Sequence, residues 1–234
     1  MDEVKNAMVS YPLRPLELEV LMGLGGVEKI YSFRLPDQKQ VTDRQLVEAL
    51  FSLVKKGHLQ ADGEQALVLS GALVGCIHAM KAPDAVLEFR FPEEEPDRLV
   101  YWGSMGGAVV ESSKTQDVLR LSWLDGVEFP RWAESLPIWE HVRMHREQEM
   151  EWLAQAQTDL LPEQLPDHPE EFPGYLCAVN QMTEGRKNRM VLVNTGGIMF
   201  LLSERGGKWS RKVLTTERYQ RLFEDLFSCR EVEI

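Results

Sequence analysis

The sequence predicts an α+β fold in which an N-terminal helical unit precedes two related β-sheet units. Three observations carry this prediction: apolar residues at helical spacing in residues 1–84, alternating apolar residues further on, and an echo between residues 86–136 and 176–226. Both spans of the echo predict four strands followed by a helix. We therefore expect two antiparallel β-β-β-β-α units, at 85–137 and 175–234, related by a pseudo-two-fold axis within one compact body.

Residues 1–84 open with a predicted helix that starts at Pro15 and ends at Gly25-Gly26. Its apolar residues recur at helical spacing: Leu16, Val20, Leu21 and Leu24. The second predicted helix has clearer ends, because Thr42 and Gln45 form a capping box and Gly57 closes the helix. Five residues form its apolar face: Leu46, Val47, Leu50, Phe51 and Val54.

A small hairpin and a third helix complete this first unit. Asp62-Gly63 predicts the hairpin turn, Ser70 precedes the third helix, and Pro83 ends it. The order helix, helix, hairpin, helix is that of a winged-helix-like unit. In a DNA-binding unit the second helix would be basic, whereas here Asp43 and Glu48 offset its cations. With a net charge of −11, we expect a structural or protein-binding role and no nucleic-acid partner.

Each β unit carries a glycine pair, Gly106-Gly107 in the first and Gly196-Gly197 in the second. We expect each pair to form a tight hairpin turn, because glycine readily adopts the positive φ angles that such turns require. A phosphate-binding loop would lead into a helix, whereas both pairs lead into predicted strands. The glycines therefore indicate turns and no phosphate site.

Residues 138–174 predict a bridging helix to about Leu161, followed by a proline-rich connector. His141, His145 and Glu149 share one face of that helix and offer three metal ligands. The internal glutamate of an HExxH motif is missing, and neighbouring arginines disfavour a cation. We interpret this face as solvated and expect no metal and no other cofactor.

The location and chemistry of the chain are predicted by what its sequence lacks. No targeting segment or membrane-spanning apolar stretch is present, so we expect a cytoplasmic protein without membrane contact. Cys76, Cys177 and Cys229 are widely spaced beside apolar residues, which favours buried free thiols. No nucleophile motif surrounds any Ser or Cys, so we expect a protein that is not an enzyme.

Two equivalent loops of the β units carry opposite charge. The first holds Glu93, Glu94 and Glu95, and the second holds Arg186 and Lys187. One acidic and one basic tip would bind a protein partner asymmetrically, or would pair two copies of the chain as a homodimer. These five residues are the predicted binding site, and the alternative is that both loops are solvated turns.

With these elements placed, the chain resembles the EspG family of type VII secretion chaperones. The likeness rests on the opening helix LRPLELEVLMGLG, on the apolar rhythm from LVEALF to AVLEF, and on two β units joined through helices. It implies an EspG-like α+β fold, a cytosolic location and a non-enzymatic role in binding the helical tip of a secretion substrate. The chain is short for that family, and its hairpin turns are tight where members carry extended binding loops.

Two other functions stay open at this stage. The N-terminal unit would also suit a winged-helix regulator that senses a small molecule, and an unrecognised enzyme is the third possibility. The first interpretation, a cytosolic adaptor or chaperone for a helical protein partner, is the one that the sequence favours.

Overall fold

A computed structural model shows an α+β protein dominated by antiparallel β-sheet. The residues it describes are 9–28, 41–62, 66–71, 73–92, 95–104, 106–112, 117–144, 169–172, 174–183, 186–195, 197–205 and 208–227. The chain divides into two compact units. Unit 1 comprises Met1–Asp84 and Arg98–Gly126, and unit 2 comprises Ala85–Asp97 and Val127–Ile234.

The helical part of unit 1 has the predicted order of elements. It contains α1 (Pro15–Leu24), α2 (Asp43–Lys55), the hairpin of β2 (Leu59–Ala61) and β3 (Leu67–Leu69), and α3 (Leu73–Lys81). The predicted ends of α2 are confirmed, since Thr42 and Gln45 form the capping box and Gly57 follows with a φ of +73°. Gly25 likewise caps α1.

The buried face of α1 differs from the predicted one. The structure buries Glu17, Leu18, Leu21 and Met22, while Leu24 is 49% exposed. Apolar residues lie on nearly every side of this helix, so their spacing did not select one face. The unexpected member is Glu17, a fully buried carboxylate whose partners are described below.

The strands of unit 1 form one antiparallel arrangement in the order β1-β7-β6-β5. Their bounds are β1 (Ser10–Leu13), β5 (Asp97–Gly103), β6 (Gly106–Ser112) and β7 (Leu119–Leu124). Strand β1 pairs with β7 and was not predicted. Alternation of Val9, Tyr11 and Leu13 was its signal in the sequence, and only Leu13 of these three is fully buried.

The first glycine pair lies differently from its prediction. Gly106 and Gly107 are the first residues of β6, so the turn itself falls between Gly103 and Gly106. A Cβ on Gly106 would lie 2.7 Å from the Leu124 carbonyl oxygen, and one on Gly107 would lie 2.7 Å from the Trp102 ring. Close packing against neighbouring strands thus requires these glycines, in addition to the positive φ of Gly106.

Unit 2 is built on five antiparallel strands in the order β4-β8-β9-β10-β11. These are β4 (Ala85–Arg90), β8 (Tyr175–Thr183), β9 (Arg186–Thr195), β10 (Ile198–Arg205) and β11 (Lys208–Val213). Its helices are α4 (Phe129–Glu134), α5 (Pro137–Met144), a 3₁₀ turn (Pro169–Glu171) and α6 (Thr216–Phe227). The predicted bridging helix begins as α5, and its continuation to Leu161 lies outside the described residues.

The pairing of β4 with β8 has a local symmetry. Phe89 lies opposite Val179, and the pairs on either side follow in antiparallel register. The two residues are also equivalent in the sequence echo, in which residue 86 matches residue 176. Phe89 is fully buried, stacks on Phe223 of α6 and meets Trp132 of α4 edge-on, so this pair is part of an aromatic core.

Two further features bear on the sequence analysis. Cys76 and Cys177 are buried free thiols as predicted, burial raises the pKa of Cys76 to about 12, and Cys229 lies outside the described residues. None of the helices described in the structure has the length and apolar character needed to cross a bilayer.

Candidate functional site

Helix α2 directs only a narrow part of its surface towards the core of unit 1. Ala49 and Leu53, one turn apart, are 1% and 0% exposed. The predicted apolar face of this helix, by contrast, is largely open to solvent. We call its four exposed members the α2 stripe: Leu46, Val47, Phe51 and Val54.

Phe51 is the most exposed residue of the α2 stripe, at 73%. Because successive residues of an α-helix are about 100° apart, Phe51 lies on the opposite side of α2 from Ala49. Val47 and Val54 flank it at i−4 and i+3, the spacing of neighbours along one helix face. A stripe of this kind, carried by a regular helix, is a candidate surface for contact with another protein.

The hairpin that follows α2 also exposes apolar side chains. Leu67 and Val68 of β3 are 38% and 43% exposed, although residues of this type are ordinarily buried. Strand β2 contacts α2 directly, and the Ser70 hydroxyl donates a hydrogen bond of 2.6 Å to the Gly57 carbonyl. The hairpin is therefore attached to the carboxyl end of α2.

The same end of α2 is held by an ion pair whose carboxylate is fully buried. Glu17 of α1 is 0% exposed, and the Lys56 ammonium donates to its Oε2 at 2.7 Å. The backbone N–H of Arg14 donates to the same oxygen at 2.7 Å, and the Arg14 guanidinium donates to Oε1 at 3.2 Å. Lys56 also donates to the Pro12 carbonyl at 3.1 Å, so one ammonium ties α2 to both α1 and the end of β1.

These contacts keep Glu17 ionised. Burial alone would raise its pKa, but hydrogen bonds from Lys56, Ser52 and the Arg14 backbone outweigh that effect and lower the pKa to about 2. Both carboxylate oxygens are occupied by these donors, and no part of the side chain reaches solvent. Glu17 is therefore suited to anchoring α2 and poorly placed for proton transfer to a substrate.

His58 lies beside this anchor. It is 9% exposed and meets the ring of Tyr11 edge-on, with the ring centres 5.3 Å apart. Burial and the positive charge of Lys56 lower the pKa of His58, so the imidazole is neutral at pH 7. The residues described by the structure provide no hydrogen-bond partner for its Nε2 atom. This leaves a neutral, buried imidazole next to the carboxyl end of α2.

Charged residues border the α2 stripe at both ends. Near the amino end, Arg44 and Glu48 form an exposed ion pair of 2.9 Å between Nε and Oε1. Lys55 lies in the last turn, where a cation is favoured by the helix dipole. The apolar centre and polar ends of α2 match the layout of a protein-binding surface, whose core is apolar and whose rim is polar.

The five site residues predicted from the loops are described only in part. Glu93, Glu94 and the side chain of Arg186 lie outside the described residues. Glu95 is half-buried and donates its backbone N–H to the Pro92 carbonyl at 3.1 Å, as in a turn. Lys187 is exposed at the start of β9.

The strand ends next to the two charged loops lie at opposite ends of the β4–β8 pair. The acidic loop follows Arg90, which lies opposite Ala178 near the start of β8. Lys187 lies opposite Met182, which in turn pairs with Val86 at the start of β4. Four residues of extended strand separate these rows, about 13 Å at 3.3 Å per residue. Of the predicted site residues, the structure describes the side chains of Glu95 and Lys187, and these two lie towards opposite ends of the β4–β8 pair.

Of the three residues considered as metal ligands in the sequence, the structure describes one. His141 is half-buried on α5, whereas His145 and Glu149 are not among the described residues. Within the part of the chain that the structure describes, no three His, Cys, Asp or Glu side chains cluster closely enough to hold a metal ion.

Comparison of the sequence with models of known protein families, and with curated proteins, gives no match. The chemistry of the α2 stripe and its anchor is therefore the basis on which a function is proposed.

The first prediction from this site concerns stability. We expect Leu53→Ala to lower the free energy of unfolding by about 2–4 kcal/mol, because it opens a cavity in the core of unit 1. Phe51→Ala should change it by no more than about 0.5 kcal/mol, because the ring contributes little to the folded chain. Urea unfolding of both variants measures the difference. If Phe51→Ala costs as much as Leu53→Ala, the α2 stripe is packed within the protein.

The second prediction concerns pH. The pKa of Glu17 is about 2 in the folded chain against an ordinary value of 4.5, so its stabilisation is present above pH 4.5 and lost as the pH falls towards 2. The pKa of His58 is lowered from 6.5, so the unfolded chain binds that proton more readily and stability falls on acidification below pH 6.5. We therefore expect the free energy of unfolding to decline below pH 6.5 and more steeply below pH 4.5.

Urea unfolding of two variants across this pH range shows whether Glu17 causes the steeper decline in the free energy of unfolding below pH 4.5. Glu17→Gln should be less stable than the wild type at pH 7, because it leaves Lys56 without its carboxylate, and should lack the decline below pH 4.5. Glu48→Gln removes an exposed carboxylate and should follow the wild-type profile. A Glu17→Gln profile parallel to that of the wild type would show that Glu17 is not the group responsible.

Proposed function

We propose that this protein is a non-enzymatic protein-binding module, and that the α2 stripe packs against an amphipathic helix of a partner protein. The observation that carries the proposal is the 73% exposure of Phe51 at the centre of an apolar stripe on a well-capped helix. Large aromatic side chains at the middle of a surface commonly supply much of the binding free energy at protein interfaces.

The geometry of the α2 stripe favours a helical partner. Val47, Phe51 and Val54 lie along one side of a 13-residue helix, which is about 20 Å long. Two helices pack by fitting such ridges into each other's grooves, so three to four turns of a partner helix would cover the stripe. Full burial of a Val or Phe side chain is worth about 1.5–3 kcal/mol, which gives the partner a sufficient driving force.

The resemblance to EspG chaperones gives this proposal a more specific form. In that form the protein is a cytoplasmic chaperone or adaptor that binds a helical secretion substrate, built from a winged-helix-like unit and two pseudo-two-fold related β-β-β-β-α units. Two observations support the architecture: the order of elements from β4 to α4 repeats from β8 to α6, and the equivalent residues Phe89 and Val179 lie opposite each other.

The charged loops are proposed as secondary contacts. Glu93, Glu94 and Glu95 on one loop, and Arg186 and Lys187 on the other, would steer a partner towards the protein without supplying most of its affinity. Arg90 and Lys187, which border the two loops, lie at opposite ends of the β4–β8 pair, which favours contact with one loop at a time.

The test is a binding measurement with matched variants. Phe51→Glu should weaken partner binding by about 2 kcal/mol, or about thirtyfold, because it replaces the central apolar contact by a charge. Val127→Glu introduces the same charge at another exposed apolar residue, 90% exposed in unit 2, and should leave the affinity within about twofold. Partners captured from the native host by the wild type are identified by mass spectrometry, and their affinities are then measured by calorimetry.

Three outcomes would contradict the proposal. If the partner binds wild type and Phe51→Glu with equal affinity, the α2 stripe is not part of the interface. A wild-type dimer that dissociates on Phe51→Glu would make a second copy of the chain the occupant of the stripe. Turnover of a metabolite by the purified wild type would replace the binding role by an enzymatic one.

A further inference from the structure

The second strand of the small hairpin contains no charged residue and no proline. Strand β3 is Leu67–Leu69, and the residues on either side of it, Ala66 and Ser70, are also uncharged. Native proteins ordinarily protect an exposed edge strand with charge, with proline or with a covering element. Leu67 and Val68 are nevertheless exposed, although both residue types are usually buried. This strand therefore has the composition of an interface that the single chain leaves uncovered.

The hairpin has two outer edges, and β3 supplies the more open one. Strand β2 contacts α2, and its first residue, Leu59, is 1% exposed. On the outer side of β3, by contrast, no strand in the described part of the chain is paired. The edge of β3 is therefore the one that an additional strand can reach.

The hydrogen bonds of the hairpin show which residues of β3 point outward. Two backbone hydrogen bonds flank the paired residues, one at each end: Ser70 N–H to the His58 carbonyl at 3.1 Å, and Asp62 N–H to the Ala66 carbonyl at 2.8 Å. In an antiparallel pair such positions recur at every second residue, so Val68 also directs its backbone groups towards β2. Leu67 and Leu69 direct theirs away from the hairpin.

We propose that two copies of this chain pair through their β3 edges, antiparallel to each other, and form a dimer with one continuous sheet. A two-fold axis at Val68 places this residue opposite its own copy, and places Leu67 opposite Leu69 of the second copy. In this register the outward N–H and C=O groups of both leucines hydrogen-bond across the axis. The same segment of each chain completes the other, as a closed two-fold interface requires.

The side chains of the hairpin suit this register. Val68 lies opposite Gln60 in the hairpin, on the same face of it, and both are exposed. In the proposed dimer the two Val68 side chains meet at a position without hydrogen bonds, where the side chains of paired strands are closest. β-Branched residues pack well in such pairs, and β3 carries no charge that would repel its own copy.

A second copy fits this edge better than an extended segment of another protein. β3 has no charged or polar side chain with which to select a foreign sequence. Its own copy supplies matching donors, acceptors and side chains by symmetry.

The size of the contact and the charge of the chain determine how the dimer should behave. Three residues a side bury much less than the roughly 800 Å² per partner of a stable interface, so we expect a weak dimer that forms at high protein concentration. Each copy carries a net charge of −11, so added salt should strengthen the dimer by screening the repulsion. A dimer held by the oppositely charged loops would instead weaken as salt rises.

The test measures association of the full-length protein in solution. Sedimentation velocity over a range of protein concentrations, at low and high salt, gives the dissociation constant of the dimer. We expect a concentration-dependent dimer that is tighter at high salt. Amide exchange followed by NMR should slow at Leu67 and Leu69 as the protein concentration rises, whereas exchange at Val68, which already bonds to β2, should change little.

Matched substitutions locate the contact. Val68→Lys places two ammonium groups opposite each other and should weaken the dimer by about tenfold or more. The control Gln60→Lys adds the same charge on the same face, one strand further from the axis, and should stay within about twofold of the wild type. Leu67→Pro removes an outward N–H without removing a bond of the hairpin, and should also weaken the dimer. Circular dichroism and urea unfolding check that each variant is folded.

Three results would overturn the inference. They are a wild type that stays monomeric at every concentration and salt, equal weakening of the dimer by Gln60→Lys, and an unchanged dimer in Val68→Lys. None of these substitutions alters the α2 stripe, and Phe51→Glu should leave this dimer intact. Failure of the β3 dimer is therefore distinguishable from failure of the proposed function.

Discussion

The ion pair between the buried Glu17 carboxylate and Lys56 is the interaction that determines which residues of α2 face solvent. A carboxylate removed from water must keep its compensating charges: Glu17 is fully buried, while the Lys56 side chain is 34% exposed and loses less hydration when the pair forms. Lys56 immediately follows α2, so rotation of the helix about its axis would withdraw the ammonium from Glu17. With this rotation fixed, Ala49 and Leu53 face the core of unit 1 and Phe51 faces solvent.

The consequence is a helix with more apolar surface than its own unit covers. The apolar residues of α2 extend from Ala49 and Leu53 on the buried side to Phe51 on the far side, and only the first part of that arc is buried. In unit 2, by contrast, large aromatic side chains are buried against one another. Phe89, Trp132 and Phe223 pack together, and the Tyr219 hydroxyl donates to the Ala133 carbonyl at 3.0 Å, which joins α6 to α4 inside the core. The exposure of Phe51 therefore contrasts with the burial of these aromatic side chains in unit 2.

Local signals predicted the elements better than their packing. The capping box of α2, the glycine at its carboxyl end and the order of strands and helices after β1 depend on residues close in sequence, and these were predicted. The exposure of the α2 stripe was not, because spacing shows that a face is apolar and not whether another element covers it. The Glu17–Lys56 pair joins residues 39 apart, which no local pattern encodes. The sequence predicted a turn at Gly106. The close approach of this glycine to β7 was not predicted, because it depends on a strand that is distant in sequence.

Hydroxyl-radical footprinting of Phe51, in the purified protein and inside the native host, tests the central claim most directly. It reports the solvent exposure of individual side chains, and buried Phe89 serves as the internal reference. We predict rapid labelling of Phe51 in the purified protein, slow labelling of Phe89 in both settings, and protection of Phe51 in the cell by the proposed partner of the α2 stripe. Labelling of Phe51 as slow as that of Phe89 in the purified protein would contradict the account, as would equally rapid labelling of Phe51 in both settings.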